Sequence, residues 1–221
     1  MAQKIVLSWS GGKDSMLMLH RLLQEDEHEI LALVTTIIEG EGVSVMHEVP
    51  QALLEAQACA LGLPFFPLIL PRNPGNAVYE QKFGAMLERL KGRGVEGVAF
   101  GDIFLQDIRR YREIFLRKIG IQPLFPLWQT KSRELAQEFI ELGYKAVTVC
   151  VDSRTLDASY AGRELDRGFL QSLPPGVDCC GENGEFHSFV YDGPLFKDRL
   201  LFKKSEINKR EMYYYCDLDP E

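Results

Sequence analysis

The sequence predicts an α/β fold: a parallel sheet flanked by helices, followed by a smaller C-terminal α+β domain. Three observations carry that expectation. Short apolar runs alternate with amphipathic helical stretches through the first half, which implies right-handed crossovers and a sheet covered on both faces. Two polar, glycine-containing segments, residues 8–15 and 101–107, follow two of those runs. Beyond about residue 123 the texture changes to a helix and a strand, then to short strand-like segments separated by turn signals.

The elements follow in order. Ile5-Val6-Leu7-Ser8-Trp9 is a short apolar run ending in glycines and suits a buried parallel strand. Residues 14–24 put Leu17, Leu19, Leu22 and Leu23 near one side of a helix, and residues 30–36, rich in β-branched side chains, form a second strand. A helix from Pro50 to Leu61 is opened by proline and closed by Gly62. Residues 65–70 are a third strand, punctuated by Pro64, Pro67 and Pro71. A helix over 79–91, a strand over 95–100 and a helix over 108–119 complete the first half. Pro123, Pro126 and Trp128 mark a joint, so the division is drawn at residues 1–125 and 126–221. The second portion is expected to hold a helix over 133–142, a strand over 146–151 and a helical stretch around 162–170. Three antiparallel strand candidates follow, over 186–191, 200–204 and 212–216.

Composition narrows the function classes. The 221 residues are 46% hydrophobic and 26% charged, with a formal net charge of −7 and dispersed basic residues, a balance that weighs against nucleic acid as the substrate. No apolar run approaches the ~20 residues of a membrane span, and the N-terminus shows no signal-peptide pattern, so a cytoplasmic location is expected. The five cysteines, an odd count without a C-x-x-C pair, fit neither a disulfide framework nor a zinc ribbon. Cys59 and Cys150 read as buried small hydrophobes, and Cys179 and Cys180 as structural thiols.

The segment Ser10-Gly11-Gly12-Lys13-Asp14-Ser15 lies between a strand and a helix, and each residue type has a use against an anion. Paired glycines let backbone N–H groups face inward, and the helix start adds partial positive charge. Lys13 adds a formal charge and the serines add hydroxyl donors. Asp14 repels phosphate alone, so it suits a bridging Mg2+ or an N-cap. The spacing is neither a Walker loop nor a dinucleotide fingerprint. It resembles the Ser-Gly-Gly-x-Asp-Ser signature of the PP-loop ATP pyrophosphatases, which cleave ATP between the α- and β-phosphates and activate an acceptor oxygen as an adenylate.

Further segments narrow the resemblance. Phe100-Gly101-Asp102-Ile103-Phe104-Leu105 with Arg109 and Arg112, Met46-His47-Glu48-Val49-Pro50, Gln57-Ala58, Leu61-Gly62-Leu63-Pro64, and Gly181-Glu182-Asn183-Gly184-Glu185-Phe186-His187-Ser188 are similar to segments of the diphthine–ammonia ligase family. The resemblance spans nearly the whole chain. It implies an adenine nucleotide alpha hydrolase-like, HUP-type ATP domain and ATP-dependent amidation of a carboxylate, with ATP and Mg2+ as cofactors and ammonia as nitrogen donor. Lys13, Asp102, Glu182 and Glu185 are the candidate catalytic residues. Ser10, Gly11, Gly12, Lys13, Asp14, Ser15, Thr35 and Gly101 are counted as nucleotide-binding, with Asp14 the candidate metal ligand. His47, Arg109, Arg112 and His187 are the candidate substrate-binding residues.

Alternatives stay open residue by residue. Asp102 also suits a helix N-cap, the arginines solvated helix charges, and the paired glutamates a solvated acidic turn. His187 alternates with Phe186 and Ser188 along a strand and is not expected to share their face. Members from eukaryotes are often longer, and compact bacterial relatives occur where diphthamide is not made, so the carboxylate-bearing acceptor, small molecule or protein, is left unnamed. Rival functions are a nucleotide-binding regulatory module, a nucleotide hydrolase and a tRNA-modifying PP-loop enzyme. The oligomeric state is likewise open, a homodimer being one arrangement.

Overall fold

The structure, a computed structural model, describes residues 2–221. Strands β1 (Gln3–Ser8), β2 (His28–Ile38), β3 (Phe65–Leu70), β4 (Gly97–Ala99) and β5 (Gln122–Leu124) form a parallel sheet in the order β3-β2-β1-β4-β5. Between them run α1 (Lys13–Glu25), α2 (Gln51–Leu61), α3 (Asn76–Lys91) and α4 (Gln106–Lys118). Pro50 and Gly62 flank α2 as expected, with Gly62 in the left-handed conformation. Alternation along β1 separates two cores. Ile5 and Leu7 pack with Met16, Leu17 and Leu19 of α1, while Val6 packs with Phe83 and Leu87 of α3 and with Phe115 and Leu116 of α4.

Where Pro123, Pro126 and Trp128 mark a joint in the sequence, the structure places strand β5 at Gln122–Leu124. The strand sits at the edge of the sheet, where a missing N–H leaves no gap in the ladder. The C-terminal part holds α5 (Ser132–Glu141), β6 (Lys145–Asp152), α6 (Arg167–Ser172) and β7 (Phe186–Asp192). After them come β8 (Phe202–Lys204), β9 (Asn208–Arg210), β10 (Tyr213–Tyr215) and β11 (Leu218–Pro220). An antiparallel sheet has the order β7-β6-β10-β9, and β11 pairs with β8. The short polar strands β9 and β11 lack the apolar alternation that would reveal them. Helix is also absent over 162–166, because this stretch pairs with β6 instead: Thr148 and Leu165 donate to the carbonyls of Arg163 and Ala146.

Strand β7 is the free edge of its sheet, and that edge meets the first half of the chain. Val190 N–H donates to Gly11 O at 2.9 Å. The core under β1 and α1 continues into Leu135 and Phe139 of α5, Phe169 of α6 and Phe186 of β7. Cys150 is buried as expected, but Cys59 is exposed, since α2 turns Leu53, Leu54, Gln57 and Ala58 inward and Cys59 outward.

Candidate active site

A cleft of about 550 Å3 opens beyond the carboxyl ends of β1, β2 and β4, and the start of β7 forms its far wall. It brings together Ser10, Gly12, Lys13, Asp14, Ser15, Thr35, His47, Gly101, Asp102, Arg112, Glu182 and His187 of the candidates named from sequence. Arg109, Gly11 and Glu185 are not on its lining. Ligands of open parallel sheets bind at these strand ends, because the loops there are free to carry polar groups while the strands themselves are buried.

The phosphate loop is braced from within. Ser15 Oγ accepts from Ser10 N–H at 3.1 Å, Ser10 Oγ accepts from Gly12 N–H at 3.2 Å, and the two hydroxyls lie 2.9 Å apart. Both serines therefore shape the turn as well as face the cleft. Gly12 caps α1 without a side chain, so Asp14 is not the N-cap but the second residue of the helix. A Cβ on Gly11, whose φ is +79°, would stand 2.6 Å from Leu54 Cδ2, and one on Gly12 would stand 2.9 Å from Ser188 O. The loop is thus wedged between α2 and β7, and only glycines fit.

Gln57 locks this joint, a role the sequence reading did not assign. Its side chain is fully buried. Oε1 accepts from Trp9 Nε1–H at 2.7 Å, while Nε2 donates to Gly11 O at 3.0 Å and to Val190 O at 2.5 Å. One amide so ties β1, the phosphate loop and β7 together. A glutamine among Leu53, Leu54 and Ala58 on the inner face of α2 is the signal that could have found it. Thr35 serves the same end, its hydroxyl donating to Trp9 O at 2.8 Å.

Charge in the cleft is mixed. Lys13 is 3% exposed, and its ammonium donates to Asp14 Oδ2 at 2.9 Å and to the Cys180 carbonyl. Burial works against its charge, but Asp14, Cys180 and Glu182 outweigh that and hold its pKa above the ordinary lysine value. Burial raises the Asp14 carboxyl, with Lys13 opposing, and Asp14 Oδ1 is buried without a hydrogen-bond partner. Asp102 does not cap α4, which begins after Leu105; it faces Arg112, whose Nε lies 2.7 Å from Oδ2 and whose Nη2 donates to Oδ1 at 3.1 Å. Arg112 in turn stacks 4.1 Å over Phe100, so it is no solvated helix charge.

The two glutamates of the Gly181–Phe186 segment part company. Glu182 lines the cleft, accepts from Ile103 N–H at 2.8 Å, and has its pKa pushed up to about 7 by burial, with Asp14 and Asp102 adding to the effect. Glu185 is buried and turned into its own loop, accepting from Asp178 N–H, Asn183 N–H and Asn183 Nδ2, each at 3.0 Å. It holds the loop that presents Glu182. Arg109 is likewise drawn away, pairing with Glu113 at 2.7 Å and lying over Phe125 and Trp128.

His47 and His187 meet across the cleft with ring centroids 4.6 Å apart. Burial lowers the His47 pKa to about 4 and that of His187 well below its ordinary value, so both rings are neutral near pH 7. Phe186, His187 and Ser188 all line the cleft, although His187 alternates with the more deeply buried Phe186 and Ser188 along the strand. The reason is that β7 presents its edge, so side chains from both of its faces reach the same space. Ser188 Oγ accepts from Lys13 N–H at 3.2 Å, a second contact the sequence reading missed. Cys180 is a buried thiol whose Sγ donates to Ser132 O at 3.2 Å, and burial pushes its pKa up. Cys179 faces a separate groove between α5 and α6.

The family model for the diphthamide synthase N-terminal domain matches residues 3–123, and that for the C-terminal domain matches residues 131–220. The chain belongs to the diphthamide synthase family. It is similar to the diphthine–ammonia ligases of Bos taurus, at 30% identity over 90% of this chain and 82% of that one, and of Mus musculus, at 31% identity over 89% and 82%. A solved structure described as a predicted subunit of tRNA methyltransferase from Methanocaldococcus jannaschii covers 66% of this chain and 80% of that one. Its TM-score is 0.44 and its identity 19%.

As a member of the diphthamide synthase family the protein is an ATP-dependent ligase. The family's two matched segments meet in one place here: the phosphate loop belongs to the first, and Glu182, His187 and Ser188 to the second. Among the described residues no helix is long and apolar enough to cross a membrane, and no three His, Cys, Asp or Glu side chains converge as a metal cage.

Proposed function

We propose that the enzyme adenylates a carboxylate with ATP and passes the activated acyl group to ammonia, releasing AMP and pyrophosphate. The observation that carries this reading is the convergence of a braced phosphate loop and a carboxyl of near-neutral pKa, Glu182, on one cleft. In the first step an acceptor carboxylate oxygen attacks the α-phosphorus, and the bond to the β-phosphate breaks. The N–H groups opening α1 and the Lys13 ammonium face the charge that develops on the departing pyrophosphate. In the second step ammonia attacks the acyl carbon, AMP leaves with the bonding pair, and the nitrogen gives up a proton. Glu182, with a pKa of about 7, is suited to receive it.

Asp14 is the residue that would hold Mg2+, and its buried, unpartnered Oδ1 fits a cation there. Mg2+ would neutralise phosphate charge beside Lys13. Asp102 and Arg112 form the opposite wall and suit the acceptor side, while His47 and His187 offer uncharged polar faces. Residues 1–125 would then bind ATP and residues 126–221 complete the acceptor side. The names of the relatives make diphthine the first acceptor to try, and the reading takes the enzyme to work in the cytoplasm.

The test is incubation with α-labelled ATP, ammonium chloride and candidate carboxylates. Acceptor-dependent AMP and pyrophosphate support the proposal, whereas ADP and phosphate would sink it.

A further inference from the structure

The loop that carries His47 is built with unusual care. Met46 and Glu48, on either side of it, both take left-handed backbone conformations, with φ of 67° and 50°. Such angles in residues other than glycine persist only where the surroundings enforce them. Buried Ser44 closes the loop from below: its N–H donates to Val49 O at 2.9 Å, its Oγ accepts from Val49 N–H at 3.2 Å, and its carbonyl accepts from Glu48 N–H at 3.1 Å. From outside, two arginines converge on the Glu48 carboxylate, whose side chain is only 8% exposed. Arg72, in the segment after β3, lies 2.7 Å from Oε1, and Arg210, at the end of β9, lies 2.8 Å from Oε2.

Those arginines come from opposite parts of the molecule and are tied down in turn. Arg72 also pairs with Glu41, and Arg210 pairs with Asp217 and lies 4.0 Å over Tyr215. We infer that Glu48 is a positioning residue: clamped between Arg72 and Arg210, it fixes His47 against His187 and Gly12 and so makes the C-terminal hairpin part of the nucleotide site. The contacts at stake are the 4.6 Å ring stack and the approach of His47 Cε1 to within 3.3 Å of where a Gly12 Cβ would stand. A shift of the loop by less than an ångström would be felt at the phosphate loop.

The test uses the full chain with AMP as the probe and follows the His47 imidazole nitrogens by NMR. Glu48→Gln is expected to move the His47 resonances and weaken AMP binding about tenfold. Arg210→Gln, on the exposed hairpin, should do the same, and the double variant should be no worse than either single one. Glu48→Asp should return part of the affinity, and Glu80→Gln, a surface pair with Lys118, should leave both readouts unchanged. The inference is overturned if Glu48→Gln lowers the melting temperature but leaves the His47 resonances and AMP affinity in place, or if the two single effects multiply. Should Glu48→Gln not fold, the Arg210→Gln arm carries the same two outcomes. Failure of AMP to bind the unmodified protein would count against the nucleotide reading, and the His47 resonances alone would then judge the clamp.

Discussion

Lys13 and Glu182 illustrate what burial does to single residues in this cleft. Lys13 keeps its charge out of water because Asp14 and the Cys180 carbonyl accept hydrogen bonds from its ammonium, leaving a fixed cation where phosphate charge would develop. Lys13→Ala should lower acceptor-dependent pyrophosphate release by on the order of a hundredfold. Glu182 runs the other way: burial favours its neutral form, so its folded pKa of about 7 stands above the ordinary 4.5. The stability it contributes is fully present below about pH 4.5 and is lost as pH rises through about 7. Glu182→Gln should therefore be more stable than the unmodified protein at pH 8, by on the order of 1–3 kcal/mol in urea unfolding, and indistinguishable at pH 4. As a base it must be ionised to work, so kcat/KM should rise with pH through about 7, and Glu182→Gln should remove that limb. A variant that is slow but keeps the pH profile would take the base role away from Glu182.

At the scale of elements, the joint between the phosphate loop and β7 matters more than either piece alone. Gln57→Leu would keep the volume of the side chain but leave Trp9 Nε1–H and Val190 O buried without their Gln57 partner, and Gly11 O with Val190 N–H alone. The expected cost is about 2–4 kcal/mol, read from the urea midpoint at constant m-value, with weakened ATP binding although Gln57 lies off the cleft lining. The parallel strands and their helices were legible in the sequence because each buries an apolar face of regular period. The phosphate loop was legible because glycines, a lysine and hydroxyl residues stand together between a strand and a helix start, an arrangement suited to an anion. Less visible were elements whose role depends on partners distant in the chain. Pro123 hid β5 until the edge position was known, and β9 and β11 are too short and polar to announce themselves. The same limit explains the two glutamates: spacing could not tell that Glu185 turns into its loop while Glu182 faces the cleft.

For the molecule as a whole, the decisive feature is that the two sequence halves share a core. The inner face of α1, with Met16, Leu17 and Leu19, packs in one cluster with Leu135, Phe139, Phe169 and Phe186, all from beyond residue 125. Each such side chain contributes about 1.5–3 kcal/mol when fully buried. Exposing several of them would therefore exceed much of the roughly 5–15 kcal/mol by which a typical domain is stable. Edge pairing adds to this, since Val190 and Ser188 of β7 hold the backbone of Gly11 and Lys13. A chain ending at residue 125 should accordingly fail to show a cooperative thermal transition by calorimetry, although it contains every strand of the parallel sheet. The full chain should unfold in one step, with far-ultraviolet dichroism and tryptophan fluorescence giving coincident curves. Trp9 and Trp128 report on the first half and its boundary, whereas far-ultraviolet dichroism samples the backbone of both halves. Two separated transitions, or a stable fragment 1–125, would mean that the ATP-binding half is autonomous. The C-terminal part would then be an attachment, and not half of the core on which the phosphate loop is built.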